Sequence, residues 1–282
     1  MSSPFLRDAI CFSPPEARTT LISLDNLTIW HTGAWVSQHG RISMKLEFHC
    51  WKCPKDAPGR RITAAFSEQG YYSFRCAHGH VHDIVTGTML FELLAETGMQ
   101  AIVDGYFRDA IASFMASYER TLQFYIDVVS RAKDIDPATA DATWKHVSSQ
   151  SERQLGMYIG LYQLENNAVP PLLAQKHVNL RNRVVHQGYL PSEEDAVLFA
   201  QAVVDLLQPL LNGLMQRYTA QIESFIAAQT AKGATAASAA QRTHNVFFEF
   251  LLRFDTEADD WNRPPADIRA ELKARRDLPS KG

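Results

Sequence analysis

Hydrophobic and polar positions change their rhythm once along this chain. Up to about residue 82 the apolar residues come in short runs that alternate with polar ones. Leu24 to Trp30, Ile42 to Phe48 and Tyr71 to Cys76 are rich in β-branched and aromatic residues. Gly33, Gly40, Pro54, Pro58, Gly59 and Gly70 punctuate them, so this part reads as strand and turn. From Val81 onward the spacing lengthens to threes and fours, the period of a helix face. Met89, Leu90, Leu93 and Leu94 predict a short helix that stops around Gly98. A long amphipathic stripe follows over about residues 100 to 132, from Ile102 through Phe107, Phe114, Tyr118, Leu122 and Tyr125 to Val129.

Asp136-Pro137 restarts the chain, predicting helices near residues 138 to 148 and 151 to 165. Pro170-Pro171 is placed to open a further helix, which Gly188 ends as a left-handed cap. Ser192, followed by Glu193, Glu194 and Asp195, reads as an N-cap with acids in the first turn. The helix it starts presents Ala196, Phe199, Val203, Leu206, Leu210 and Leu214 to a core, and Pro209 predicts a kink in it. His244 to Phe254 reads as one more short apolar helix, and Thr256 to Gly282 as a loosely ordered, charged tail. The expected fold is mainly α. A small β-rich, zinc-ribbon-like unit (residues 1–82) precedes a helical bundle (83–232), and a linker, short helix and polar tail (233–282) follow.

Composition narrows the function classes. The 282 residues are 46% hydrophobic and 21% charged, as in ordinary globular proteins. Net charge is −3, so nucleic-acid binding would have to come from a local patch. The N-terminus lacks the apolar run of a signal peptide, and no window reads as a membrane span. The expectation is a cytoplasmic protein with no membrane contact. Three of the four cysteines lie close together, which in a reducing compartment favours a metal over a disulfide. Cys11 stands alone and reads as a small buried residue.

Phe48-His-Cys50-Trp-Lys-Cys53-Pro reads as one metal knuckle and Arg75-Cys76-Ala-His-Gly-His80 as a second. Together they give C-x2-C, a 22-residue loop, then C-x3-H. Four N/S ligands on two tight turns suit a structural Zn²⁺ held by Cys50, Cys53, Cys76 and His80. His78, His82 or His49 can replace His80, and three reduced thiols in a small β core is the alternative. The second knuckle resembles the Cys-x-x-Gly-His form of some bacterial zinc ribbons. Lys52, Lys55, Arg60, Arg61 and Arg75 interleave with Trp51, Tyr71, Tyr72 and Phe74. That pattern suits single-stranded RNA, and equally a ribbon packing its rings against the bundle.

The helix ending at Gly188 carries the other candidate chemistry, Arg181-Asn-Arg-Val-Val-His186. Arg181 and His186 are about 140° apart around a helix axis, too wide for one tight face, while Asn182 and His186 share a face. Cleavage of RNA by its own 2′-hydroxyl needs a group that moves protons near neutral pH, which histidine supplies. It also needs a permanent cation for the crowded phosphorane, which arginine supplies. A solvated helix end favoured by the dipole is the bland alternative for the same pair.

The run Leu180 to Phe199, with its Arg, polar residue, spacer and His, resembles the signature helix of HEPN domains. Gly105-Tyr-Phe-Arg-Asp-Ala-Ile111 and Tyr118-Glu119 are similar to the first helix of that family. The resemblance covers about residues 99 to 218. It implies a bundle that forms a homodimer and brings two motifs into one composite site. It further implies metal-independent endoribonuclease activity on RNA that leaves a 2′,3′-cyclic phosphate, in toxin–antitoxin, phage-defence or RNA-processing settings. Carried over, His186 is the general acid/base and Arg181 the phosphate clamp, with Asn182 orienting substrate or histidine. Glu119 helps to orient the histidine, or else is a surface acid paired with Arg120 or Lys133. Two other readings stay open. One is a non-catalytic HEPN protein binding a nucleotidyltransferase-type antitoxin or other defence-system partner. The other is a zinc-ribbon nucleic-acid-binding regulator dimerised by the bundle.

Overall fold

The elements are those that residue spacing dictates, with five informative departures. A computed structural model describes residues 45–65, 67, 70–234, 243–246, 251–252 and 262–277. The expected strand at Leu24 to Trp30 and the isolated Cys11 lie outside the described residues. Four short strands come first: β1 (Lys45–His49), β2 (Arg61–Ala65), β3 (Tyr71–Arg75) and β4 (Val81–Thr86). β1 and β2 pair antiparallel with Lys45 opposite Ala65 and His49 opposite Arg61. β3 and β4 pair antiparallel with Tyr71 opposite Val85 and Arg75 opposite Val81. Gly70 opens β3 with φ of +66°, and a Cβ there would meet the Thr86 carbonyl oxygen at 2.6 Å. Phe48, Tyr72, Ile84 and Leu93 close a small core, and Leu93 belongs to the first helix, so the strands lean on the bundle.

The helices are α1 (Leu90–Val103), α2 (Phe107–Ala132), α3 (Pro137–Val147), α4 (Ser151–Asn166), α5 (Gln175–His186), α6 (Glu193–Ala234) and α7 (Ile268–Arg276). α2 and α6 carry the large core. Ile111, Phe114, Tyr125 and Val128 of α2 meet Phe199, Val203, Leu207, Leu211 and Leu214 of α6, all of them buried. Leu206 lies at the rim of that core rather than in it. The described residues all belong to one compact unit.

The first departure is at Gly98, which does not stop a helix but lies inside α1. A Cβ at that position would stand 2.7 Å from the Phe114 ring, so the glycine is a packing residue. The chain breaks instead at Gly105, whose φ is +82°. Gly98→Ala should therefore destabilise the fold by about 1–3 kcal/mol, overpacking outweighing the better helix propensity of alanine. A denaturation midpoint equal to or above that of the parent would contradict it.

The second departure concerns Pro170-Pro171, which precede α5 in a non-helical segment; the helix starts after Ala174. Two consecutive prolines hold the residue before each of them extended, and that delays the first helical turn. Leu173 is buried and anchors the segment. The third is in α6, where torsions leave the helical region at Tyr218 and not at Pro209.

The remaining two lie at the C-terminal end. Thr243–Val246 is a strand, β5, not the start of a helix, and it adds parallel to β4 with Asp83 opposite Thr243. Its first residues, Thr-His-Asn-Val, alternate and include two β-branched side chains, a signal outweighed by the phenylalanines after it. The charged tail contains the ordered helix α7, capped by Asp267 through the Arg269 and Ala270 amides. Ile268 and Leu272 bury one face of it. Three arginines fasten it to the bundle. Arg275 pairs with Glu96, Arg276 with Glu193 at 2.8 Å, and Arg269 with Glu194 at 2.5 Å. The Arg275 pair, the least exposed of the three, contributes most to that fastening. Among the described residues α6 alone is long and apolar enough to cross a membrane, a window that the composition did not suggest. In that window 61% of the residues are buried inside the fold, where they form the bundle core.

Candidate functional site

Two clusters carry chemistry. In the first, β1 delivers Cys50 at its end, and the turn after it delivers Cys53. Cys76 directly follows β3, and the turn into β4 delivers His80. Local hydrogen bonds shape both turns. Cys50 N–H donates to Arg60 O at 2.9 Å and Ala57 N–H to Pro54 O at 3.1 Å. Cys76 N–H donates to His80 O at 3.0 Å, and Gly79, at φ of +84°, allows the tight return. Gly59 is required on steric grounds, since a Cβ there would lie 2.5 Å from that of Ala77. Arg60 braces the first knuckle, donating to Cys50 O at 3.0 Å and Lys55 O at 2.9 Å.

The four ligand atoms all lie within 4.8 Å of one another. His80 Nδ1 is 3.5 Å from Cys50 Sγ, 3.3 Å from Cys53 Sγ and 3.5 Å from Cys76 Sγ. Cys53 and Cys76 sulfurs are 3.8 Å apart. A tetrahedral site with metal–sulfur bonds of about 2.3 Å and metal–nitrogen bonds of about 2.05 Å has edges of about 3.8 Å and about 3.5 Å. The cluster therefore fits a four-coordinate ion. It also separates the histidines. His78 Nδ1 reaches only the Cys53 sulfur, at 3.4 Å, and His82 Nε2 only the Cys50 sulfur, at 3.0 Å. His49 belongs to β1 and is exposed. His82 is buried with its ring beside the cluster, placed to support a ligand sulfur rather than to be a ligand.

Desolvation and the neighbouring Cys50 and Cys76 push the Cys53 thiol up to about 12. Desolvation also acts on Cys76, but the His80 and His78 backbone amides aimed at its sulfur bring that thiol below its ordinary value. Amides pointing at a sulfur are the mark of a metal knuckle, and a bound dication would deprotonate the whole set.

The second cluster is on α5. Val184 and His177 face the bundle, which turns Arg181, Asn182 and His186 outward. Arg181 Nη1 lies 3.2 Å from His186 Nε2 and donates to Asn182 Oδ1 at 3.1 Å. The angular separation expected to keep arginine and histidine apart is bridged by the length of the arginine side chain. A guanidinium only donates, so a hydrogen bond across this contact requires a lone pair on His186 Nε2. Glu119 of α2 is close enough to feel the Arg181 charge. Burial raises its carboxyl above the ordinary range, while Arg181 and then Arg120 draw it back. Of the alternative partners, Arg120 acts on Glu119 electrostatically while donating to Gln123 at 2.6 Å, and Lys133 pairs instead with Glu165 at 2.7 Å.

The turn after α5 is stiff. Gly188 takes φ of +69°, as its capping position requires. Ser192 and Asp195 cap α6 reciprocally, through Ser192 N–H to Asp195 Oδ2 at 3.0 Å and Asp195 N–H to Ser192 Oγ at 3.1 Å. Tyr189 donates to the same carboxylate at 3.1 Å, and Arg183 lies over the Tyr189 ring at 3.8 Å. Arg183, Tyr189 and Asp195 were not singled out as site residues. Only the Ser-x-x-Asp spacing hinted at one of them.

No family model matches the chain, and no curated protein or solved structure matches it either.

Proposed function

We propose that this chain is a metal-independent endoribonuclease of the HEPN type. It would cut single-stranded RNA at a site shared by two copies, with Zn²⁺ bound elsewhere as a structural ion. The observation that carries the reading is the outward-facing Arg181–His186 contact of 3.2 Å, which joins a proton carrier to a phosphate-binding cation. His186 Nε2 takes the proton of the ribose 2′-hydroxyl as its oxygen attacks phosphorus. The P–O5′ bond breaks, and the leaving oxygen receives a proton from the histidine of the second copy. The products are a 2′,3′-cyclic phosphate and a 5′-hydroxyl. A phosphate oxygen reaching the guanidinium competes for Arg181 Nη1, which frees Nε2 to act as base. Asn182 holds the guanidinium in place, and the charge of Glu119 restrains it from the α2 side.

Support for a second copy comes from the surface beside the motif, where Val185, Leu190 and Leu198 are exposed, Leu190 to 80%. Cys50, Cys53, Cys76 and His80 would fill all four places around Zn²⁺, leaving none for substrate. The test is cleavage of single-stranded RNA in EDTA, with the zinc content of the protein followed in parallel. Cutting by the parent is the expected result. Strict dependence on an added divalent cation overturns the reading.

A further inference from the structure

The outer face of α5 extends well beyond Arg181 and His186. The helix contains Lys176, Arg181 and Arg183 and no Asp or Glu, so it is cationic in a chain of net charge −3. Positions 175, 179, 182 and 186 recur at helical spacing, which brings them within about 60° of one another around the axis. They are Gln175, Asn179, Asn182 and His186, and all four are exposed. His177 and Val184, both buried, occupy the opposite side and fix the direction of this line. Three carboxamides therefore run in file toward the histidine.

Two hydrogen bonds hold them. Arg181 Nη1 donates to Asn182 Oδ1 at 3.1 Å, which ties that amide to the cation of the site. Gln175 Nε2 donates to Asn179 Oδ1 at 2.9 Å. The second bond gives the pair a polarity, with Gln175 Oε1 left to accept and Asn179 Nδ2 left to donate. Asn179 stands two turns before His186, about 10 Å along the axis. A ligand that meets this pair therefore lies near the reacting phosphate and not at it.

We propose that Gln175 and Asn179 are specificity-determining residues of the α5 site and read an adenine base near the cut. Asn179 Nδ2 donates to a ring nitrogen of the base, and Gln175 Oε1 accepts from its N6 amino group. Adenine sets this donor beside an acceptor on both its N1 and its N7 side, and an unpaired strand leaves both sides open. Guanine has only acceptors on its N7 side, and a pyrimidine has no such side. RNA as the ligand rests on the cleavage reading above; the line of amides does not.

The test uses the full-length chain carrying His186→Ala, so that bound RNA stays whole. The probes are short fluorescein-labelled strands of oligo(A), oligo(C) and oligo(U), with oligo(dA) beside them, followed by anisotropy. Oligo(A) should bind about tenfold more tightly than the two pyrimidine strands. Asn179→Ala and Gln175→Ala should each remove most of that preference, leaving the weaker binding that all strands share. Melting midpoints verify that each variant is folded. No binding, equal binding of the three RNA strands, or a preference for oligo(A) that survives both substitutions overturns the proposal. Oligo(dA) bound as tightly as oligo(A) overturns RNA as the ligand. Cleavage of a mixed-sequence RNA by the parent and by Asn179→Ala separates this inference from the nuclease. An Asn179-dependent adenine preference in a chain whose parent cuts nothing leaves the amide pair standing and removes the nuclease. Cutting at the same positions and rates with and without Asn179 does the reverse.

Discussion

Replacing His186 with alanine should lower RNA cleavage by about 10²–10⁴-fold, the range that a positioned acid–base group contributes. The fold should be untouched, because His186 lies exposed at the last turn of α5 and buries nothing. Packing of that helix depends on Val184 and His177. Arg181→Ala should lose a comparable factor by removing the cation that faces the phosphorane. Arg181→Lys should recover little of it, since an ammonium cannot offer a planar fork to phosphate and Asn182 together. Rates would be measured on a single-stranded substrate under single-turnover conditions, with melting midpoints beside them. A variant of His186 that cuts at the parent's rate sinks the role assigned to it.

The second large effect belongs to the other cluster. Cys76→Ser should release close to the whole zinc content of the chain and unfold the strand region, while leaving most of the helical signal. Structural zinc in small units supplies on the order of 10–16 kcal/mol of apparent binding free energy, more than a four-residue core can replace. That core is Phe48, Tyr72, Ile84 and Leu93. The large helical core is a separate cluster and contains none of Cys50, Cys53 and Cys76. Amide exchange should therefore rise in β3 and β4, and in β5, which is tied to β4. Metal analysis and exchange by mass spectrometry check this. A parent chain purified without zinc, or a variant that retains it, contradicts the site.

How much of this was legible beforehand depends on the range of the interactions. The α2 stripe from Phe107 onward, the capped start of α6 and the four-ligand spacing are local patterns that appear where their spacing places them, whereas Ile102, the expected start of that stripe, belongs to α1. The choice of His80 over His78 and His82 was open in the sequence, because all three lie within five residues of each other. The three-dimensional arrangement favours His80, whose Nδ1 faces all three sulfurs. Gly98 was misread because a glycine inside a helix and one at its end are alike until Phe114 is seen covering it. β5 and α7 were missed for the same reason. One owes its state to β4, and the other to Glu96 and Glu193, residues more than eighty positions away. The Arg181–His186 contact is the reverse case: the motif was plain, and helical angles alone argued against a touch that the arginine's reach makes.

The central claim is that Arg181 and His186 act on RNA at a site built from two copies of the chain. Parent and His186→Ala chains, mixed in equal amounts, unfolded and refolded together, form heterodimers that hold a single histidine in the shared cleft. If both histidines are needed, only the parent homodimers cut, and cleavage of single-stranded RNA in EDTA should fall to about a quarter of that of the same total amount of parent. That is the predicted result. Cleavage at about half of the parent's, the value for chains that act one by one, with heterodimer shown to be present, contradicts the account.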